Sequence, residues 1–201
     1  MDDLEDCMNQ VYRMALASMQ SFTFWLHTDP DKTIHEDVLK EFGHFFYATH
    51  EAHVTMMVIS LDCLYDEKKS LLNFTKLIGM LPSTIEAAKL DRIKKDFDAL
   101  LKNFKGVKLI RNHSFGHVAN YQTRMKIGEK WEPNIGELME LCYGTLVLAT
   151  NIGRMLGRDL FSAEEVSALD LETFEKMMAR LRQPVEAGGS EEALPGHEPS
   201  V

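Results

Sequence analysis

A short polar run near the middle of the chain holds the residue types needed to grip a phosphate and to move a proton. The run is Arg111-Asn112-His113-Ser114-Phe115-Gly116-His117. An arginine guanidinium presents a planar fork of donors to phosphate oxygens and stays charged at any working pH. A histidine titrates near neutrality and can act as a general base or acid, and an asparagine can orient either partner. Together they suit cleavage of a phosphodiester by an RNA's own 2′-hydroxyl. His117 would move the proton, Arg111 would stabilise charge developing on phosphorus, and neither a metal nor another cofactor is required.

The spacing of Arg111 and His117 constrains how the two side chains can act together. They are six positions apart, which is about 600° round an ideal helix, so the side chains would point roughly 120° apart. They converge if the helix bends, which Gly116 would allow, or if a two-fold partner contributes the second set. The spacing therefore favours half of a cleft shared by two chains.

The charge distribution singles out the same region. The chain has a net charge of −9, which argues against a general nucleic-acid binder. Residues 89–130, however, carry 11 bases and 4 acids, or +7, whereas residues 1–88 carry 6 bases and 14 acids, or −8. Such asymmetry can focus an anion onto one face of an acidic protein. Lysines on a solvated helix face, paired with nearby acids, are the alternative reading.

Length and composition predict one folded domain with a tail. The chain has 201 residues, of which 45% are hydrophobic, enough for a core that needs no disulfides or metal staples. Its three cysteines are widely spaced, which predicts reduced thiols and a cytoplasmic location. The acidic first residues do not resemble a secretory signal, and no apolar run approaches a membrane span. We expect a helical domain over residues 1–182 and a flexible acidic tail over 183–201.

Helical periodicity runs along almost the whole chain, with little of the alternation that marks strands. Ser-x-x-Glu capping boxes at residues 83–86 and 162–165 predict two helix starts, and Gly106 predicts a break or kink. The expected helices cover about residues 4–26, 34–65, a short helix capped by Ser70, 83–104, a segment 107–121 that carries the motif, 135–156 and 163–181.

An Arg-Asn run followed by a small residue and a histidine, inside an all-helical chain, resembles the signature of the HEPN superfamily. That signature is an arginine, a polar residue, and a histidine some four to six residues after the arginine. The segment from Phe45 to Asp66 is similar to the second helix of the abortive-infection (AbiU-like) branch, where an apolar helix ends in a hydrophobic residue and an aspartate. The resemblance covers roughly residues 5–180.

The resemblance implies an antiparallel helical bundle of HEPN type with additional flanking helices. It also implies a metal-independent endoribonuclease of a toxin–antitoxin or antiviral abortive-infection system, in which a homodimer brings two motifs into one cleft and a cognate antitoxin protein can bind. Carried over by position, Arg111 and His117 are catalytic, Asn112 supports them, and Asp66 is a candidate on the neighbouring helix. Many HEPN relatives are non-catalytic modules that bind nucleotide, RNA or protein, and this is the alternative function.

Three further residues, one inside the run and two just after it, are candidates for substrate binding. His113 lies one helical turn before His117, and Asn120 and Tyr121 follow it closely. Each is also readily explained as a solvent-facing residue.

A metal site is a further alternative. Glu41-Phe42-Gly43-His44 has the Glu-x-x-His spacing of helical di-metal bundles, but the sequence offers no good second copy. His50 and His53 are separated by two residues rather than the three of zinc-protease helices. We therefore expect no metal.

Overall fold

The computed structural model describes residues 2–29, 34–66, 72–110 and 135–183. Regular structure in these parts is entirely helical, which confirms the all-α class. No helix among them has a stretch that is both long and apolar enough to cross a membrane. The predicted tail lies outside the described residues from residue 184 onward. The helices are α1 (Asp2–His27), α2 (Glu36–Glu41), α3 (Gly43–Tyr65), α4 (Phe74–Met80) with a 3₁₀ turn (Leu81–Ser83), α5 (Ala87–Ile110), α6 (Ile135–Met155) and α7 (Ala163–Leu181).

Four long helices form a ring in which α1 and α5 each pack against α3 and α6. α1 and α3 are antiparallel: Thr28, just after α1, hydrogen-bonds His50 in the first half of α3. At the other end, Cys7 of α1 contacts the carbonyl of Asn73, which lies beyond the end of α3. Two neighbouring helices therefore run in opposite directions along most of their length.

The other two long helices continue this alternation. Asn103, late in α5, donates to the carboxylate of Glu140, early in α6, at 3.5 Å. Gly153, late in α6, lies against Met8, early in α1. Hence α1 and α5 run one way and α3 and α6 the other. α7 packs on the outside of α1 and runs parallel to it.

The core inside the ring is apolar, and α1 contributes to it through the positions that helical spacing predicts. Val11, Ala15, Met19 and Phe22 are all buried. A fully buried aliphatic or aromatic side chain contributes about 1.5–3 kcal/mol relative to its exposed state. The amphipathic pattern of the first helix, read as a core-facing stripe, is therefore confirmed.

The prediction of one helix over residues 34–65 is wrong. α2 and α3 are separate helices, because Phe42 leaves the helical conformation with φ −104° and ψ 31°. Gly43 follows at once, and glycine weakens helix continuation. The break lets α2 turn its apolar side onto α7 and the start of α3, in a second apolar cluster that contains Val38, Leu39, Phe46, Phe174 and Met178.

Of the two predicted capping boxes, one is confirmed and one is wrong. Ser162 Oγ accepts from the Glu165 backbone amide at 3.2 Å, and the Glu165 carboxylate accepts from the Ser162 amide at 2.7 Å. Ser83 does not cap α5; its hydroxyl donates to the carbonyl of Met80 at 3.2 Å inside a 3₁₀ turn. The proline in that turn fits a first helical turn, so the chain makes a short separate turn before α5.

The sequence predicts some of the other helix ends correctly and others wrongly. Asn73, not Ser70, caps α4, since its side chain accepts from the Lys76 amide at 2.9 Å; Ser70 lies outside the described residues. α5 runs without a break through Gly106, contrary to the prediction. Gly157 ends α6 as predicted, with φ +77°, a conformation that glycine adopts without strain.

Tyr65, the last residue of α3, lies where four helices meet. Its ring stacks on Phe97 and Phe104 of α5, with centroids 5.7 and 5.1 Å apart, and lies beside Phe74 of α4. Its hydroxyl hydrogen-bonds Thr145 Oγ1 of α6 at 2.7 Å, and both residues are buried. Burial raises the pKa of Tyr65 well above its ordinary value, so the hydroxyl stays protonated.

We expect Thr145→Val to destabilise the protein by about 1–3 kcal/mol, because it leaves the buried Tyr65 hydroxyl without its partner. The double variant Tyr65→Phe/Thr145→Val should recover most of that loss, since both polar groups are then removed together. Urea unfolding followed by circular dichroism measures the difference. Equal destabilisation of the single and double variants would contradict a paired buried bond.

Candidate functional site

The predicted catalytic run begins directly after α5. Six of the seven predicted site residues fall in residues 111–134, outside the described parts of the chain: Arg111, Asn112, His113, His117, Asn120 and Tyr121. The structure does define the two points between which that segment runs. These are the end of α5 at Ile110 and the start of α6 at Ile135.

The last three turns of α5 carry an exposed basic surface, here called the basic end: Lys102, Lys105 and Lys108. No acidic residue lies between residues 99 and 110. Among the described residues, the lysines that form ion pairs are Lys40, Lys89 and Lys176. The three lysines of the basic end form none with a described residue. Cations at a helix C-terminus also favour the helix dipole. Positive charge is thus concentrated where the chain enters the Arg111 run.

The neighbouring helix places one carboxylate beside this basic surface. Glu140 of α6 is the carboxylate hydrogen-bonded from α5, and its donor is Asn103 rather than a lysine. The acids of α5 itself, Asp91, Asp96 and Asp98, all precede the basic end. Unpaired lysines near a surface attract phosphates through long-range electrostatics.

Ile110 lies at the level of the middle of α3. Tyr65 stacks between Phe97 and Phe104, so it marks a position near the middle of α5. α3 and α5 are antiparallel, and each rises 1.5 Å per residue. Ile110 lies roughly ten residues further along α5 than the level of Tyr65. The same distance measured back along α3 from Tyr65 reaches about Thr55. The predicted catalytic run therefore follows in sequence from a helix end that lies at the level of the centre of α3.

Asp66, the seventh predicted site residue, occupies the C-cap of α3 and is buried. Its backbone amide donates to the carbonyl of Asp62 at 2.9 Å, and its own carbonyl accepts from the Asn73 side chain at 3.3 Å. By the same helical rise it lies about 15 Å along the bundle from Ile110. The structure does not bring Asp66 beside the end of α5, and its part in a substrate site stays a prediction.

A second polar site, which the sequence did not reveal, lies between α1, α3 and α7. It is a pocket of about 290 Å³ where Asp170 accepts from the Gln20 side chain at 3.2 Å. His53 stacks on Phe24, with centroids 4.2 Å apart, and its Nδ1 lies 3.4 Å from Ser21 Oγ. The full lining is Gln20, Thr23, Phe24, His27, His53, Asp170, Thr173, Phe174 and Met177.

Burial controls protonation in this pocket. It lowers the pKa of both His27 and His53, and His50 lowers that of His53 further. Burial raises the pKa of the Asp170 carboxyl, against the opposing hydrogen bond from Gln20. Burial therefore disfavours the charged form of each of these three groups. Asp170 could have been found from sequence only by placing it on the α1-facing side of α7, one turn before Phe174.

Two of the three histidines considered as metal ligands make other contacts. His50 hydrogen-bonds Thr28, and His53 packs on Phe24, whereas His44 is exposed on α3. In the described parts of the chain, no group of three or more histidine, cysteine or carboxylate side chains is arranged to hold a metal ion.

No protein-family model, curated protein or solved structure matches this chain. The resemblance to the HEPN superfamily therefore depends on the residues of the run and on the order of the helices.

Stability should fall as the pH drops below about 6.5, because His27 and His53 bind protons less readily in the folded protein than in the unfolded chain. Asp170 has the opposite sign: its raised pKa makes the folded protein bind the extra proton, which offsets part of the loss at lower pH. In His27→Gln/His53→Gln, unfolding midpoints between about pH 7.5 and pH 5 should change less than in the wild type.

His44→Gln, at an exposed histidine on the same bundle, is the matched control and should keep the wild-type pH dependence. An unchanged slope in the double variant would show that these two imidazoles do not govern acid stability.

Proposed function

We propose that this protein is a metal-independent endoribonuclease of HEPN type, of the abortive-infection (AbiU-like) branch, working in a toxin–antitoxin or antiviral system. The observation that carries the proposal is the basic end of α5, whose exposed lysines run without an intervening acid to the residue before Arg111. The all-α class and the order of the helices also support it. A cytoplasmic location and an antitoxin partner belong to the same proposal.

The chemistry follows from the side chains of the run. Neutral His117 takes the proton from the 2′-hydroxyl, whose oxygen attacks the adjacent phosphorus. The bond from phosphorus to the 5′-oxygen breaks, and a protonated histidine supplies a proton to that leaving oxygen. Arg111 holds the phosphate oxygens, whose negative charge grows in the transition state. The products are a 2′,3′-cyclic phosphate and a 5′-hydroxyl, and Asn112 orients its neighbours.

A homodimer meets the geometric requirement of the run. Residues six apart diverge by roughly 120° on one straight helix, so a single copy makes a poor site for both proton transfers. Two copies related by a two-fold axis provide two arginines and two histidines in one cleft. One histidine can then act as the base while its partner acts as the acid.

The basic end of α5 has a separate role in this proposal. Lys102, Lys105 and Lys108 bind the RNA backbone on the approach to the cleft, where each phosphate contact releases a counterion. They carry no sequence preference, since backbone contacts position the strand rather than read the bases.

Wild-type protein should cleave single-stranded RNA with EDTA present, and His117→Ala and Arg111→Ala should each lower the rate by at least about 100-fold. A substrate with a 2′-deoxy residue at the cleavage site should remain intact, and the product end should be a 2′,3′-cyclic phosphate. Gel analysis of end-labelled RNA measures all three results. His44→Ala, at an exposed histidine outside the run, should cleave like the wild type.

Cleavage that persists in His117→Ala would disprove the mechanism. RNA binding without cleavage at any pH would instead favour the non-catalytic module, in which the same run only holds a phosphate.

The triple variant Lys102→Gln/Lys105→Gln/Lys108→Gln should bind RNA more weakly. The slope of log affinity against log salt should fall by about 2, since each lost contact to a single strand removes about 0.7. Fluorescence anisotropy with His117→Ala as the background avoids cleavage during the titration. The control Lys40→Gln/Lys176→Gln removes two exposed lysines that are paired with glutamates and should leave the slope unchanged; an equal loss in both variants would mean that only net charge matters.

A further inference from the structure

The outward side of α3 is an exposed apolar stripe, here called the α3 outer face: Phe45, Ala48, Ala52, Met56 and Ile59. The side chains of Phe45, Met56 and Ile59 are 59%, 50% and 46% exposed, respectively. Both alanines are exposed as well. Steps of three and four residues keep all five on one side of a helix. The stripe runs along about four turns of α3.

No charged side chain interrupts this face. Thr49 and Thr55 flank it, and exposed Glu51 lies on the same flank as Thr55. The two threonine hydroxyls donate to the carbonyls of Phe45 at 2.7 Å and Glu51 at 2.9 Å in the same helix. Neither hydroxyl needs a further partner. The face can therefore be covered without burying an unsatisfied polar group.

Helices α1 and α5 do not expose a surface of this kind. The exposed side of α1 begins with Asp3, Glu5, Asp6 and Asn9, and that of α5 is dominated by lysines and aspartates. α3 is apolar on its inner and its outer side, a pattern that belongs to helices buried all round. Exposed contiguous apolar surface in a soluble protein marks an interaction site.

The spacing on this face reads the same in both directions. The five residues are separated by three, four, four and three positions, with Ala52 at the centre. If a second α3 lies antiparallel, Phe45 meets Ile59 of the partner subunit, and Ala48 meets the partner's Met56. Ala52 meets its own symmetry mate, and the small side chain allows the helices to approach closely. Large side chains thus face either large ones at the ends or small ones between.

We propose that the α3 outer face is the interface of a two-fold homodimer in which two copies of α3 pack antiparallel about Ala52. A two-fold interface must be complementary to itself, and the symmetric spacing supplies that property. Charge favours the same occupant: copies with a net charge of −9 repel one another, and this neutral face lets them meet with the least repulsion.

The dimer also explains where the catalytic run begins, a point that rests on the proposed function. Ile110 lies beside α3 near Thr55, three residues from the central Ala52. A two-fold axis at Ala52 therefore brings the two α5 ends, each directly followed in sequence by the Arg111 run, to the same level of the dimer. The interface and the shared cleft would be built by one contact.

Sedimentation equilibrium on the full chain tests the interface without RNA. Wild-type protein should be a dimer, and Ala52→Glu should raise its dissociation constant by about 100-fold or more, because two carboxylates would face each other in an apolar contact. The matched control Ala99→Glu places the same change on the exposed side of α5 and should leave the constant unchanged. Circular dichroism should show wild-type helix content for both variants.

Pairing across the axis gives a second, more specific readout. Ala48→Lys and Met56→Glu should each weaken the dimer, whereas the double variant should restore it, since each lysine then faces a glutamate of the other copy. In a Cys63→Ser background, Ala52→Cys should form an intermolecular disulfide on mild oxidation and Ala99→Cys should not, because a disulfide needs Cα atoms within about 7 Å. The remaining thiols, Cys7 and Cys142, are buried.

A dimer unaffected by Ala52→Glu, with no Ala52→Cys cross-link, would overturn the inference. A monomeric wild-type protein would also overturn the inference. In that case, loss of stability in Ala52→Glu would mean that another part of the same protein molecule covers this face. Both results are independent of ribonuclease activity. A dimer that behaves as expected but leaves RNA intact would reject the proposed function and keep the interface.

Discussion

The buried Tyr65 side chain fixes the positions of α3, α4, α5 and α6 relative to one another along the bundle, and the placement of the other features follows from these positions. One aromatic ring packs on α4 and α5 while its hydroxyl bonds α6, so four helices are held at one level. The level of Tyr65 against Phe97 and Phe104 sets how far α5 extends along α3. That in turn places Ile110, the residue directly before the predicted catalytic run, at the level of the centre of α3 instead of at its end.

Charge and apolarity are divided between different helices, and the division suits two binding events. α5 exposes lysines that are unpaired among the described residues, and α3 exposes a neutral stripe; in our proposals the lysines bind a phosphate backbone and the stripe binds a second copy. Copies with a net charge of −9 repel one another, so a neutral face is where they meet with the least repulsion, and a local concentration of positive charge would attract RNA. The half-buried His27, His53 and Asp170 lie between α1, α3 and α7, where they are expected to affect acid stability instead.

Much of the fold could be predicted from sequence, and the misses have physical causes. Periodicity found α1 and α6 and the capping box found α7, because these signals are local. The break at Phe42 was missed because it is selected by packing of α2 onto α7, which lies more than a hundred residues away in sequence. The symmetric spacing of the stripe is visible in the sequence. Only the burial of the individual side chains shows that α3 uses its other side for the core and leaves this side exposed. The predicted site residues after Ile110 remain sequence predictions, and Asp66 was placed by resemblance at a helix end that is buried.

The central claim is that one dimer contact builds one RNA-cleaving cleft. The most direct test is the cleavage rate per chain measured across protein concentrations that span the dimer dissociation constant. We expect this rate to rise in proportion to the dimer fraction obtained by sedimentation, and the curve for Ala52→Glu to shift to higher concentration by the same factor as its dissociation constant. A rate per chain that stays constant through the monomer–dimer transition would contradict it.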